Sequence, residues 1–147
     1  MDFSDYKGIY VIAEVRGGEV ENVTAELLGE ARKLAASTGD KVEAVLMGSG
    51  IREKAADLIA CGADVVYVID SPVLAHYDGK AYEKALGALL KEKKPSAILF
   101  AATPYGRDLA PRIASAVVCG VTADVTELSV DEKTGLIVWS RPAMGGN

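Results

Sequence analysis

The sequence is poor in the groups that carry most catalytic and metal chemistry. It has one histidine, His76, in 147 residues. A single imidazole gives no secure Ser/His/Asp or Cys/His arrangement, so His76 is read as non-catalytic. Its two cysteines, Cys61 and Cys119, lie far apart with no CxxC spacing. No His/Cys cluster surrounds them, which argues against a structural zinc site. A disulfide is unneeded in a domain of this size, and both thiols are read as reduced, buried small hydrophobes. There is no basic excess: the net charge is -5, with 25% charged residues of both signs. That argues against bulk nucleic-acid binding and leaves room only for a local basic site. No apolar run approaches the ~18 residues of a membrane-spanning helix. The opening "MDFSDYKG" has neither a basic n-region nor an apolar h-region, so no secretory signal is expected. The simplest compartment is the cytoplasm, or an organelle matrix after processing.

What is present is an alternating pattern. The length suits one domain, and 50% apolar residues suffice for an ordinary core. "GIYVIAEV" (Gly8 to Val15) is a β-branched run bounded by Gly17-Gly18. Leu27, Leu28, Ala31, Leu34 and Ala35 then follow helical spacing, with Asn22 as the expected N-cap and Gly39 as the stop. "KVEAVLMG" predicts a second strand, and Ile51, Ala55, Leu58 and Ile59 predict one face of a helix stopped by Gly62. "DVVYVID" predicts a third strand, and Tyr82, Leu86, Leu89 and Leu90 a third helix. "SAILFAAT" predicts a fourth strand, followed by a helix from about Asp108 to Val118. Four β-α units imply a parallel sheet covered by helices on both faces, and near-continuous apolar strands agree. The expected class is α/β, doubly wound and mostly parallel. The last segment changes rhythm: "VTADVTELSV" and "GLIVWSRP", joined by "DEKTG", predict a C-terminal antiparallel ribbon. The chain stops at "AMGGN", a glycine pair after a strand, which reads as a truncated chain or a proteolytic remnant, with a fraying natural tail as the alternative.

Ligands of open parallel sheets lie beyond the carboxyl ends of the strands, so four loops compete. "EVRGGEVEN" carries Arg16, Gly17 and Gly18 without GxGxxG spacing and reads as a flexible connection. "MGSGIRE" could hold an anion on its backbone N–H groups, or serve as an ordinary turn with Ser49 as N-cap. No GK[ST] follows it, so no Walker motif exists. "IDSPVLAHYD" holds His76. "TPYGRDLAPR" is the most charged of the four. Pro111 is tolerated in a first turn, so Asp108 is the expected N-cap and "TPYGR" the loop. Gly106 then permits a tight turn, Arg107 lies just outside the helix, and Arg112 is on the exposed side. Arg107 either reaches toward an anion or partner, or pairs with a carboxylate and orders its own loop. Along the last strand, Ile137, Trp139 and Arg141 share a face that packs under the hairpin or meets another chain.

Two stretches carry a resemblance. "TPYGRDLAPRIASAVVCGVTADVTEL" is similar to the GRDLAPR motif, Ala-rich helix and AD.T.L pattern of the electron transfer flavoprotein alpha subunit family. "SRPAMGGN" resembles that family's RPAFGGN, with Met144 where Phe is usual. "YKGIYVIAE" and "ACGADVVYVIDSPVLAHYDGKAYEKAL" fit its opening regions, so the resemblance covers nearly the whole chain. It implies an N-terminal α/β domain of adenine-nucleotide-hydrolase-like fold over residues 1–147, with the C-terminal FAD domain absent from this chain. It implies a heterodimer with a beta subunit, which carries AMP or, in electron-bifurcating members, a second FAD. The intact protein would carry electrons from flavin dehydrogenases to an acceptor. FAD is therefore expected in the intact protein and none on this chain alone. The cofactor or subunit-junction candidates are Arg107, Arg141, Gly145 and Gly146, the glycines allowing close backbone approach.

No general acid/base pair or nucleophile in the sequence demands catalysis, so an electron-carrier subunit rather than an enzyme is expected. The alternative is a stand-alone adenine-nucleotide-binding module; no SGGxDS loop or Gx2Gx9G[ST] signature supports it. No nucleic-acid or membrane partner is expected. A last strand left as an unpaired edge would allow a homo-oligomer.

Overall fold

The computed structural model describes residues 6–117, 127–131 and 136–140. The first strand, β1 (Ile9–Ile12), is followed by two short strands, β2 (Val15–Arg16) and β3 (Glu19–Val20), and by helix α1 (Val23–Thr38). Strand β4 (Val42–Gly48), helix α2 (Ala55–Ala60) and strand β5 (Val65–Asp70) come next. Helix α3 (Gly79–Lys93), strand β6 (Ala97–Ala101) and helix α4 (Pro104–Val117) precede strands β7 (Glu127–Asp131) and β8 (Leu136–Ser140). The main sheet has six strands in the order β5-β4-β1-β6-β8-β7. β5, β4, β1 and β6 are parallel, and β8 joins β6 antiparallel, with β7 antiparallel to β8. The fold is α/β with the expected antiparallel ribbon.

Alternation along the strands makes the two cores. Ile9, Val11 and Ala13 face one side with Leu27, Leu28 and Ala31 of α1 and Leu58 of α2. Tyr10, Ile12, Met47 and Phe100 face the other with Leu86 and Leu90 of α3 and Leu109 and Ile113 of α4. β1 is buried throughout because helices cover both faces. Each large apolar side chain taken fully from water there stabilises the fold by about 1.5–3 kcal/mol. Gly39 closes α1 in the left-handed conformation, as its sequence position predicts, whereas the Asn22 side chain makes no cap hydrogen bond.

Several expectations are corrected. The stretch around Gly17-Gly18 is not a loose connection but a two-residue hairpin between β2 and β3. Both glycines have positive φ, 59° and 80°, the demand of a tight turn whose twist matches its strands. α2 is short, and Ile59 is 48% exposed instead of sharing the buried face of Leu58. Cys61, expected to be buried, is exposed, because it sits at the C-terminal cap of α2 beside Gly62. β8 is not an edge: it lies between β6 and β7, so the described sheet ends at β5 and β7. Ile137 of β8 packs into the core on the α3–α4 side, and Trp139 pairs in register with Ile98. Cys119, Arg141, Met144, Gly145 and Gly146 lie outside the described residues.

α4 begins four residues earlier than the sequence suggests. Pro104, not Asp108, opens it. The Gly106 N–H donates to Thr103 Oγ1 at 3.3 Å, and the Arg107 N–H donates to the Thr103 carbonyl at 2.8 Å. Thr103 thus caps the helix, and Pro104 stands at the first helical position, where a missing N–H costs nothing. Pro111 lies inside the helix. It withholds one internal hydrogen bond, which the packing of Leu109 and Ile113 offsets.

Candidate functional site

In the order β4-β1-β6, the chain leaves β1 to one side first and returns to the other side later, so the switch point lies between β1 and β6. Two apolar strands end in an acid at this edge of the sheet. β5 ends in Asp70, and the β1 segment ends in Glu14.

Asp70 determines what the glycine loop after β4 can do. Its carboxylate accepts the Gly50 N–H at 2.8 Å and the Ile51 N–H at 3.1 Å. Those backbone bonds, the Gly50 N–H foremost, hold the Asp70 carboxyl below the usual aspartate range. Gly48-Ser49-Gly50 does bind an anion, and the anion is the protein's own.

Glu14 stands at the switch point, held by a side chain rather than by backbone N–H groups. It is 3% exposed. Thr103, the cap of α4, donates its hydroxyl to Glu14 Oε1 at 2.7 Å. A carboxylate is thereby fixed beside the positive end of α4, where a phosphate would otherwise be favoured. The Glu14 N–H donates to the buried Thr24 Oγ1 at 3.0 Å, and the Glu21 N–H to the Glu14 carbonyl at 2.8 Å, which tie the residue to α1 and the hairpin. Gly106 completes the closure. A Cβ there would collide with the Ala101 carbonyl oxygen and lie 2.9 Å from its carbon. The first turn of α4 therefore sits directly on the end of β6, and only glycine fits.

Beside this junction is a cleft of about 320 Å³, lined by Glu14, Arg16, His76, Tyr77, Pro104 and Tyr105 among others. Arg16 Nη2 is 3.8 Å from Glu14 Oε2. The Tyr77 and Tyr105 rings meet edge to face at 5.0 Å, and Tyr77 meets Tyr82 at the same distance. The Tyr77 hydroxyl donates to Asp108 Oδ2 at 2.6 Å. Burial, helped by that carboxylate, pushes the Tyr77 phenol well above its usual range, and burial does the same to Tyr105. Asp108 is held low, first by the Tyr77 hydroxyl and then by Arg112.

The candidates from sequence separate here. Arg107 is an exposed residue within the first turn of α4 rather than in a loop before it. Arg112 is not a free exposed cation: it pairs with Asp108 at 3.1 Å and Glu83 at 3.5 Å, folded over Gly79. His76 lines the cleft. Sequence reasoning passed over Glu14, Asp70 and Thr103. Their signal was an acid closing each of two apolar strands and a Thr-Pro pair opening a helix. Among the described residues, no group of three His, Cys, Asp or Glu side chains could hold a metal ion. No helix among them is long and apolar enough to cross a membrane.

Residues 9–147 match the electron transfer flavoprotein domain family. The chain belongs to this family. It is 53% identical, over 98% of its length, to the electron transfer flavoprotein subunit alpha of Thermoanaerobacterium thermosaccharolyticum, of which it covers 43%. It is 50% identical over its full length to the subunit alpha of Megasphaera elsdenii, covering 44% of that protein. It is also 46% identical over its full length to the LctC subunit of a lactate dehydrogenase (NAD(+),ferredoxin) from Acetobacterium woodii, covering 35% of it. The chain thus spans less than half the length of these relatives. The family implies FAD, whose pyrophosphate needs donors aimed at it. Among the described residues the two strand-end loops do not fit that group: Asp70 takes the Gly50 and Ile51 amides, and Glu14 sits at the α4 terminus.

Proposed function

We propose that the chain is the N-terminal scaffold domain of an electron transfer flavoprotein alpha subunit, pairing with a beta subunit. The FAD-containing heterodimer carries electrons from flavin dehydrogenases to an acceptor, and FAD is held mainly by a C-terminal domain beyond this chain. The chain itself performs no catalytic step. The observation that carries this reading is the closed strand-end edge. The positions where a doubly wound fold receives phosphates are filled by Glu14 and Asp70, which suits a domain that supports a partner better than one that holds a nucleotide. The similarity to alpha subunits supports the same role.

Within it, Arg107, exposed in the first turn of α4, and Arg141, Gly145 and Gly146, which follow β8 in the sequence, are the residues proposed to meet the subunit junction or the flavin. Co-expression with the beta subunit of one of the alpha-subunit relatives tests the pairing. A stable complex is expected, together with no AMP or ATP binding by the chain alone. Tight AMP binding without complex formation would replace this reading with the stand-alone nucleotide module. Arg141→Ala should weaken assembly or shift the flavin potential of the intact protein; unchanged assembly and potential would remove Arg141 from the junction.

A further inference from the structure

The cleft beside the switch point combines features that the scaffold role does not require. Its lining includes a carboxylate, Glu14, whose side chain is 4% exposed. One oxygen, Oε1, is committed to Thr103. The other, Oε2, meets among the described residues only Arg16, at 3.8 Å and with the Arg16 side chain 70% exposed. An ion pair that long and that open to water holds little. Arg16 also leads into the Gly17-Gly18 turn, whose glycines have nothing within 4 Å of an added Cβ, so it stands at the root of an uncrowded hairpin. A buried carboxylate oxygen without a strong partner costs free energy that a well-placed cation would recover. The wall offers the Tyr77 and Tyr105 rings, and aromatic faces attract cations.

We propose that this cleft is a cation site, taking a guanidinium or primary ammonium group on Glu14 beside Tyr77 and Tyr105, with Arg16 as the displaceable internal occupant. The charge that closes the position to phosphate opens it to the opposite sign. The group comes from a side chain of a partner protein or from a free small molecule. The inference stands on the cleft alone and holds whether or not the chain pairs with a beta subunit.

The test is a titration of the isotopically labelled chain with argininamide, followed by amide chemical shifts, with AMP as the anionic control. Saturable shifts confined to Glu14, Gly17, Tyr77 and Tyr105 are expected. Glu14→Gln keeps an acceptor for Thr103 and should weaken binding roughly tenfold or more. Arg16→Ala removes the internal competitor and should tighten binding roughly two- to fivefold. Scattered or absent shifts, indifference to Glu14→Gln, or AMP moving the same amides would overturn the proposal. Should Glu14→Gln not fold, Arg16→Ala decides, since unchanged or weaker binding is incompatible with displacement. Repeating the titration on the complex with a beta subunit separates the sources. Loss of the shifts there assigns the cation to a partner side chain, and retention assigns it to a free ligand. A failure of pairing leaves the result on the chain intact.

Discussion

The Thr103 hydroxyl and the Glu14 carboxylate meet at 2.7 Å across the gap between the ends of β1 and β6, 89 residues apart in sequence. The same hydroxyl oxygen accepts the Gly106 N–H at 3.3 Å. One side chain therefore caps α4 and holds one oxygen of a buried acid. Thr103→Val keeps the shape and removes both bonds, and should cost about 1–3 kcal/mol in denaturant unfolding. Thr103→Ser should recover most of it. Equal stability of Val and Ser variants would show that shape, not the hydroxyl, matters here.

Glycine substitutions should give opposite signs at two helical positions. Gly106→Ala drives a methyl into the Ala101 carbonyl and should destabilise by about 1–3 kcal/mol or more. Gly29, exposed within α1 with nothing within 4 Å of an added Cβ, should stabilise by roughly 0.5–1 kcal/mol when changed to Ala. Thermal unfolding of both variants checks the pair.

Acid stability should depend on Asp70. Its carboxyl is lowered in the folded state from the ordinary 3.8. Its contribution is therefore fully present above that value and is lost as pH falls through the lower folded value. Asp70→Asn cannot accept both amides as a charge and should flatten the acid arm of a stability–pH profile. An unchanged slope would mean that Asp64, held low first by the Val42 N–H, or Asp108 dominates instead.

Alkaline behaviour should have the reverse sign. Tyr10, Tyr77 and Tyr105 are all raised above 10.0, first by burial. In the unfolded chain they ionise near 10, so stability should fall as pH rises beyond about 10. Asp108→Asn should bring the Tyr77 transition down in a phenolate absorbance titration, because the carboxylate is the next cause after burial.

The main elements were legible because their signals are local. Apolar runs such as "IYVI" and "AILFA" have no stable place except between two helical layers, and Gly39 stops α1 where its position says. The start of α4 departs from the sequence expectation because Pro104 takes the first helical position and Pro111 lies inside the helix. A proline's cost inside a helix is not visible in sequence when packing elsewhere offsets it. The exposure of Cys61 and the tight Gly17-Gly18 turn also differ from the sequence expectation, since each depends on where a short element ends.

By itself, the sequence determined the alternation of strands and helices, the two-faced burial and the family, since these rest on hydrophobic period and on motifs contiguous in the chain. Only the tertiary structure decided what the strand-end loops hold. Gly48-Ser49-Gly50 looks the same in sequence whether it meets a phosphate or Asp70, and Glu14 looks the same whether it faces water or Thr103. Those partners lie 20 and 89 residues apart and meet only when the parallel sheet aligns its strand ends. A helix terminus takes whichever anion the fold brings to it, and here the fold brings its own.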